Sequence, residues 1–290
     1  METQQVKILF KLLLSLIISL IFIINCSGGD MKRTESDYIK LEDIPATAWK
    51  ELGGKKIFFA HQSVGNNIIN GIKDIIKENP TLYLNIMEIS EPVELEEGVF
   101  AHTTNIGKNE DPQSKIDAFA SYMENGIGNN ADLAFLKFCF VDVDNKTDIQ
   151  NLFTAYKNEM AKLKNKYPET TIIHFTVPLL KKNKPSFKNW IKGLFGKNDG
   201  FFANEHNIKR NKFNDLIVKE YIGIEPVFDL AETESTYPDG SRETFIENGE
   251  KHYSLVPAHT DDGGHLNETG RKKIAEQFLL FLINLDKQKF

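Results

Sequence analysis

Short apolar runs alternate with segments of helical periodicity along most of the chain, and this alternation restricts the fold more than any other feature. The apolar runs predict strands over residues 56–60, 82–89, 131–143, 171–177 and 227–230. The periodic segments predict helices over residues 66–77, 112–125, 149–166, 207–221 and 267–285, and a loop is predicted over residues 91–112. Strands and helices in strict alternation form a mostly parallel sheet that is covered on both faces. We therefore predict an α/β fold with three layers, α/β/α, around a five-stranded sheet.

The chain carries one such pattern and no internal repeat, which predicts a single domain over residues 51–290. Acidic and basic residues are interleaved, and the formal net charge is −6. Because no basic stripe stands out, nucleic acid is not an expected partner. Cys139 lies within an apolar run and is expected to behave as a buried small hydrophobe.

The N-terminus has the parts of an export signal. Two lysines flank the start of an apolar run over residues 8–24, and small and polar residues around Cys26 follow it. The segment resembles a bacterial lipoprotein signal, in which Cys26 is lipidated and becomes the mature N-terminus. We predict a signal peptide over residues 1–25, a tether over residues 26–50 and a membrane-anchored protein of a bacterial cell envelope. An uncleaved membrane span and plain secretion are the alternatives.

Ser63 stands where the first predicted strand gives way to a helix, in the stretch His-Gln-Ser-Val-Gly. A serine at such a position can cap the helix, which contributes about 1 kcal/mol, or it can be a nucleophile held on the turn. In parallel α/β sheets, chemistry gathers outside the carboxyl ends of the strands, where Ser63 is expected to lie. A serine hydroxyl becomes an effective nucleophile only when a base accepts its proton. The functional interpretation therefore requires a base elsewhere in the chain.

A second informative stretch lies directly ahead of the last predicted helix. Asp262 and His265 are three positions apart in a glycine-rich turn. A carboxylate so placed can accept the imidazole Nδ1 proton, which fixes the tautomer and directs Nε2 outward. An ordinary turn followed by a helix cap is the alternative. Together with Ser63, the pair predicts a catalytic triad.

The two stretches together resemble the SGNH (GDSL-type) hydrolase superfamily over residues 55–285. The Asp-Gly-Gly-His-Leu-Asn-x-x-Gly pattern at residues 262–270 matches closely, whereas the Gly-Asp-Ser of the family is His-Gln-Ser here. The resemblance implies one esterase domain with a flavodoxin-like sheet. It also implies that Ser63 is the nucleophile, that His265 is the general base and that Asp262 orients His265.

The oxyanion site that the resemblance implies is incomplete. Its donors would be the backbone N–H groups of Ser63 and Gly107. The third block of the family, Gly-x-Asn-Asp, fits only at Asp142, because Cys139 replaces the Gly and Val141 replaces the Asn. One lost donor typically costs about 10²–10³ in turnover. Side chains expected near the substrate are His61, Gln62, Asn66, His102, Asn105 and Asp142. Candidates for a third donor are Gln62, Asn66, Asn67 and Asn105.

These features together predict an exported serine esterase. The expected substrate is an ester, an O-acetyl or other short acyl group on a carbohydrate. The mechanism requires no metal and no organic cofactor, and we expect a monomer held at the membrane through a lipid on Cys26. Two alternatives remain open: a non-catalytic lipoprotein that keeps the fold and binds a glycan or a partner, and an O-acyltransferase that uses the same triad.

Overall fold

The computed structural model describes residues 41–80, 82–183 and 203–285. Its α-helices are α1 (Ala46–Gly54), α2 (Val64–Glu78), α3 (Pro112–Glu124), α4 (Ile149–Lys166), α5 (Asn204–Tyr221), α6 (Leu230–Ser235) and α7 (Glu268–Ile283). Its strands are β1 (Ile57–Ala60), β2 (Asn85–Glu88), β3 (Val99–Thr103), β4 (Leu133–Leu136), β5 (Thr171–Phe175), β6 (Val227–Phe228), β7 (Thr244–Glu247) and β8 (Glu250–Tyr253). Short 3₁₀ helices cover Leu41–Asp43, Ile127–Asn129, Phe140–Asp142 and Pro257–His259.

Strands β1 to β6 form one sheet in the order β2-β3-β1-β4-β5-β6, and every neighbouring pair is parallel. Helices cover both faces of this sheet, so the prediction of three layers around a mostly parallel sheet is confirmed. The predicted count of five strands is wrong, because the sheet has six. The run β3-β1-β4-β5-β6 has the strand order of flavodoxin-like sheets, and β2 is added at its edge. Strands β7 and β8 form a separate antiparallel hairpin.

The predicted loop over residues 91–112 contains the missing strand, β3. All five residues of Val99–Thr103 are buried, since the strand lies between β2 and β1. Its apolar part is only three residues long and is followed by His102 and Thr103. The sequence pattern therefore does not indicate an inner strand. By contrast β2, which lies in the longer apolar run over residues 82–89, is mostly exposed at the edge of the sheet.

The core consists of two apolar layers, one on each face of the sheet. Ile57 and Phe59 of β1 point into the layer formed with α1, α2 and α7. Phe58 and Ala60 point into the layer formed with α3, α4 and α5. Aromatic rings fill the first layer, where the ring centroids of Phe59 and Phe135 are 4.9 Å apart. Because successive residues of a strand face opposite sides, a short strand that is buried on both sides contributes to both layers.

Close packing of α2 against α7 brings two distant parts of the chain together. A Cβ added to Gly71 of α2 would lie 2.3 Å from the Arg271 carbonyl oxygen in α7. Arg271 Nε also donates to Asp74 Oδ2 at 2.8 Å. Ser63 precedes α2 and His265 precedes α7, so the contact between these helices sets both residues at the same end of the layer.

Helix α1 shows that the packed domain begins before residue 51. Trp49 and Leu52 are buried in the layer that α2 and α7 form, so residues 46–50 belong to the domain and not to the predicted tether. The predicted signal peptide, Cys26 and tether residues 26–40 lie outside the described residues and stay predictions. Within the described ranges, no helix is long and apolar enough to span a bilayer.

Candidate active site

Ser63 is the last residue before α2 and has an unusual backbone conformation, with φ 55° and ψ −111°. A non-glycine residue in such a region costs roughly 1–3 kcal/mol. The Ser63 side chain makes no capping hydrogen bond with α2, which rules out the interpretation of Ser63 as a helix cap. Instead, Ser63 Oγ lies 2.7 Å from His265 Nε2. The turn therefore directs the hydroxyl to an imidazole.

His265 is oriented by Asp262. His265 Nδ1 lies 2.6 Å from Asp262 Oδ2, and Asp262 Oδ1 accepts the backbone N–H groups of Gly264 at 2.9 Å and His265 at 2.8 Å. Because Nδ1 donates to the carboxylate, Nε2 is free to accept the Ser63 hydroxyl proton. Partial burial would raise the pKa of Asp262, but the hydrogen bonds from Gly264 and His265 outweigh it and lower this pKa to about 2. The carboxylate is therefore ionised at neutral pH.

The turn that carries His265 is held by neighbours on two other elements. Asn67 Oδ1, in the first turn of α2, accepts the Leu266 backbone N–H at 3.1 Å. The Phe140 ring lies edge-on to the His265 ring, with centroids 5.4 Å apart, and would be 3.2 Å from a Cβ added to Gly264. Asn67, a candidate for the third oxyanion donor, thus ties the His265 turn to α2.

Gly107 lies in the loop that follows β3, the strand next to β1. Its φ is +63°, and an added Cβ would lie 2.6 Å from the Ser114 carbonyl carbon, so both the backbone conformation and the space require glycine. Among the described residues, neither the Gly107 N–H nor the Ser63 N–H donates a hydrogen bond. Two backbone N–H groups close to the carboxyl ends of β1 and β3 therefore have no acceptor among the described residues.

Gln62 joins the Ser63 turn to the Gly107 loop. Its Nε2 donates to the Thr104 carbonyl oxygen at 3.1 Å and to the Gly107 carbonyl oxygen at 3.3 Å. A side-chain amide has two N–H donors, and both are used here. Gln62 therefore does not supply the third oxyanion donor.

Asn66 and Asn105 lie on the exposed rim of the site. Asn105 Nδ2 donates to the Ser90 carbonyl oxygen at 3.0 Å, which fixes the loop after β3 to the residues after β2. Asn66 is in the first turn of α2, three residues beyond Ser63, and its exposed amide makes it the better placed of the two to meet a substrate.

His61 and His102 lie beneath the strand ends and not on the surface. Their exposed fractions are 0% and 3%, and His61 Nε2 is 3.3 Å from His102 Nδ1. Burial is the largest cause that lowers the pKa of each imidazole, and the nearby Lys137 lowers the pKa of His61 further. Both rings are therefore favoured in the neutral form. In the part of the chain that the structure describes, no three His, Cys, Asp or Glu side chains form a metal-binding group.

Asp142 is also buried, so the expectation that it lines the substrate pocket is corrected. Asp142 Oδ2 lies 2.6 Å from Lys115 Nζ, and both side chains are 0% exposed. The same oxygen accepts the Cys139 N–H at 2.6 Å, and Oδ1 accepts the Glu110 N–H at 3.0 Å. Asp142 therefore holds the loop after β4 against the loop that contains Gly107.

Val141 occupies the position at which the resemblance requires an asparagine. Its partly buried side chain packs against the core layer of α2 and α7, and it has no polar atom to offer. The neighbouring Cys139 Sγ donates to the Gln62 carbonyl oxygen at 3.6 Å. This segment, residues 139–142, thus supplies no side-chain donor for an oxyanion.

Comparison with known proteins gives distant likenesses of fold. No protein-family model and no curated protein matches the chain. The periplasmic domain of a lipopolysaccharide acetyltransferase from Salmonella ser. Paratyphi A is 13% identical, with a TM-score of 0.41 over 81% of this chain and 86% of that chain. A structure described as a possible lipase from Chitinophaga pinensis DSM 2588 is 14% identical, with a TM-score of 0.37 over 81% of this chain and 100% of that chain. At these values the likenesses carry no argument about function, which rests on the geometry of the site.

Proposed function

We propose that the protein is a serine esterase that hydrolyses an O-acetyl or other short acyl ester of a carbohydrate. The observation that carries this proposal is the series of contacts from Ser63 Oγ through His265 to Asp262, at 2.7 and 2.6 Å. Both distances lie within the range at which a base can take a proton from a nucleophile. The strained backbone of Ser63 and its missing capping bond do not stabilise the fold, so stability alone does not account for this arrangement.

The mechanism follows from these contacts. Ser63 Oγ attacks the ester carbonyl carbon while His265 Nε2 takes the hydroxyl proton, and Asp262 stabilises the imidazolium that forms. The carbonyl oxygen becomes an oxyanion that accepts the N–H groups of Ser63 and Gly107. When the intermediate collapses, the bond to the alcohol breaks and His265 gives its proton to the alcohol oxygen. Water then attacks the acyl-enzyme, with His265 again as base, and releases the acid and free Ser63.

The exposure of the triad supports a substrate with a large alcohol portion. The side chains of His265 and Asp262 are 48% and 54% exposed. Because His265 donates a proton to the leaving alcohol, the alcohol lies on this open side, where a glycan can be accommodated. The short acyl group and the carbohydrate follow the resemblance of the two sequence motifs to SGNH esterases. A lipid on Cys26, with about 0.8 kcal/mol of membrane affinity per buried methylene, would hold a monomeric enzyme close to envelope polymers.

The proposal is tested with purified wild-type protein, Ser63→Ala and the matched control Ser121→Ala. Ser121 is exposed near the end of α3, so its substitution removes a hydroxyl without touching the site. Wild type and Ser121→Ala should hydrolyse a short-chain aryl ester and bind a fluorophosphonate covalently, whereas Ser63→Ala should do neither. Hydrolysis by Ser63→Ala at the wild-type rate would remove Ser63 from the mechanism.

One observation favours a second candidate, a non-catalytic protein that binds a glycan or a partner. Because Val141 replaces the asparagine, the oxyanion site has only two donors. A protein that binds without catalysing a reaction needs no oxyanion donors, so it would tolerate this replacement. Folded wild-type protein that neither hydrolyses esters nor reacts with a fluorophosphonate would support this candidate. If wild type is active, adding a glycan acceptor distinguishes hydrolysis from acyl transfer, since transfer yields an acylated glycan in place of free acid.

A further inference from the structure

Gln62 occupies an unusual position beside Ser63, because its backbone and its side chain act on different segments. The side-chain nitrogen donates to the carbonyl oxygens of Thr104 and Gly107 at 3.1 and 3.3 Å. The side-chain oxygen is buried and makes no hydrogen bond with any described residue. The opposite amide orientation would set this oxygen against two carbonyl oxygens, so the observed orientation is the one the network permits.

The backbone of Gln62 belongs to the same peptide unit as the Ser63 N–H. The carbonyl oxygen of this unit accepts the Gly65 N–H at 3.1 Å and the Cys139 thiol at 3.6 Å. These contacts fix the peptide plane and hence the direction of the Ser63 N–H. Hydrogen bonds accepted at a carbonyl also polarise its peptide and strengthen the donor at the other end.

The side chain of Gln62 acts on the other oxyanion donor. The two carbonyls that it binds belong to residues 104 and 107, and the peptide that carries the Gly107 N–H lies between them. Among the described residues, no other donor reaches either carbonyl. Ile106, within the same turn, is 0% exposed, so the turn is anchored below by an apolar side chain and on the Ser63 side by Gln62.

From this geometry we infer that Gln62 is a positioning residue that sets the separation and direction of the two oxyanion donors, the N–H groups of Ser63 and Gly107. This inference rests on the proposed esterase function. Misplacement of a reacting group by about 1 Å can cost on the order of 10²-fold in rate, and loss of one donor costs about 10²–10³-fold. Because the site has two backbone donors and Val141 in place of a third, its rate depends strongly on how those two are held.

The length and charge of Gln62 suit this role. An asparagine is one methylene shorter and would not reach both carbonyls from the same backbone position. A glutamate has the right length but has no N–H, and its negative charge would face two carbonyl oxygens and the developing oxyanion. A methionine side chain is similar in length to that of glutamine, so Gln62→Met removes the donors without adding charge.

The test compares wild type, Gln62→Met, Gln62→Glu and the matched control Gln150→Met, which makes the same chemical change at an exposed position in the first turn of α4. Steady-state kinetics with an aryl ester give kcat and KM, and inhibition by a boronic acid measures affinity for a tetrahedral analogue. We expect Gln62→Met to lower kcat about 10- to 100-fold with KM changed less than about threefold, and Gln62→Glu to lower it further. Boronic acid affinity should fall in proportion to kcat/KM, because both report binding of the tetrahedral state. Gln150→Met should match wild type in every measurement.

Four outcomes would overturn the inference, and each leaves a distinct signature. If Gln62→Met keeps wild-type kcat and boronic acid affinity, Gln62 does not position the donors, although the esterase proposal stands. If kcat, KM and thermal stability all worsen together, the role of Gln62 is merely structural. If wild type and Gln150→Met neither hydrolyse esters nor react with a fluorophosphonate, the esterase proposal itself fails and the inference fails with it. Hydrogen exchange of the Asn105 N–H, which donates to Thr103 Oγ1 at 3.1 Å within this loop, should be faster in Gln62→Met than in wild type, and unchanged exchange would contradict the contact independently of activity.

Discussion

The buried ion pair between Lys115 and Asp142 allows a quantitative test of how the loops of the site are held. Lys115 Nζ lies 2.6 Å from Asp142 Oδ2, and both side chains are 0% exposed. Lys115 Nζ also donates to Asn109 Oδ1 at 2.9 Å. Asp142 accepts the backbone N–H groups of Cys139 and Glu110 at 2.6 and 3.0 Å. The pair therefore joins α3, the loop after β3 and the loop after β4.

Removing one partner should cost far more than removing both. We expect Asp142→Asn to lower the free energy of unfolding by about 3–5 kcal/mol, because it leaves the Lys115 charge buried without a counter-charge. Lys115→Met should cost about 3 kcal/mol, at the lower end of that range, since two backbone donors still face the Asp142 carboxylate. The double variant leaves no unpaired charge in the interior. It only weakens hydrogen bonds, so it should cost about 1–2 kcal/mol. The sum of the two single effects should thus exceed the effect of the double variant by about 4 kcal/mol or more, which is large for residues in contact.

Urea unfolding of the four proteins at pH 7, followed by circular dichroism, measures this coupling. The exposed pair Lys157 and Glu220 is the control, with its atoms at 2.6 Å but its side chains 47% and 34% exposed. Its coupling should stay below about 1 kcal/mol, because exposed ion pairs contribute little. If the Lys115 and Asp142 effects add to within about 0.5 kcal/mol, the two charges do not depend on each other and the reasoning fails.

Three further perturbations act on individual residues. Asp262→Asn should lower kcat by about 10⁴-fold, because an amide no longer fixes the His265 tautomer; a loss below tenfold in an aryl ester assay would contradict the orienting role. Gly107→Ala should lower the free energy of unfolding by more than about 1–2 kcal/mol, since its positive φ is combined with a Cβ 2.6 Å from Ser114; urea unfolding at wild-type stability would refute this. Burial raises the pKa of Glu234 to about 8, well above the usual range of a glutamate carboxyl, so the stability that its protonated form contributes is complete below about pH 4.5 and is lost as the pH rises to 8. The free energy of unfolding of wild type should therefore fall, relative to Glu234→Gln, by about 1.4 kcal/mol per pH unit between these limits; parallel unfolding curves over that range would disprove it.

Most of the fold could be predicted because apolar residues recur at helical or strand spacing within each main element. Ile68, Ile72 and Ile75 mark the buried face of α2 before any contact is known, and all three are buried. Strand β3 could not be predicted in this way, since its burial comes from its neighbours. His102 is buried because β3 lies between two strands and because His61 packs against it. A polar residue that is buried by tertiary contacts gives no apolar signal in the sequence.

The contacts of His265 with Ser63 and Asp262 could be predicted from residue type and spacing, whereas the residues that hold the loops could not. Lys115 did give a signal, because it lies on the same face of α3 as Phe119 and Tyr122, and a lysine on an apolar face needs a buried partner. Nothing in the sequence identifies Asp142 as that partner, because its match to the third SGNH block instead indicates a position near the substrate. The contacts of Gln62 gave no signal at all, since its acceptors are backbone carbonyls, which every residue has. Such contacts depend on where the loops lie and not on which residues form them.

The backbone conformation of Ser63 favours a functional interpretation of this serine over a structural one. A serine that caps a helix contributes about 1 kcal/mol, and Ser63 makes no such bond. Its conformation costs roughly 1–3 kcal/mol, so this position is on the order of 2–4 kcal/mol less favourable than a capped start of α2. Domains have free energies of unfolding of only about 5–15 kcal/mol, so such a cost is substantial. What the conformation provides is a hydroxyl that faces the His265 imidazole at the open edge of the sheet. A binding module gains nothing from that contact and would be more stable without the strain, so the geometry favours the enzyme over the binding module.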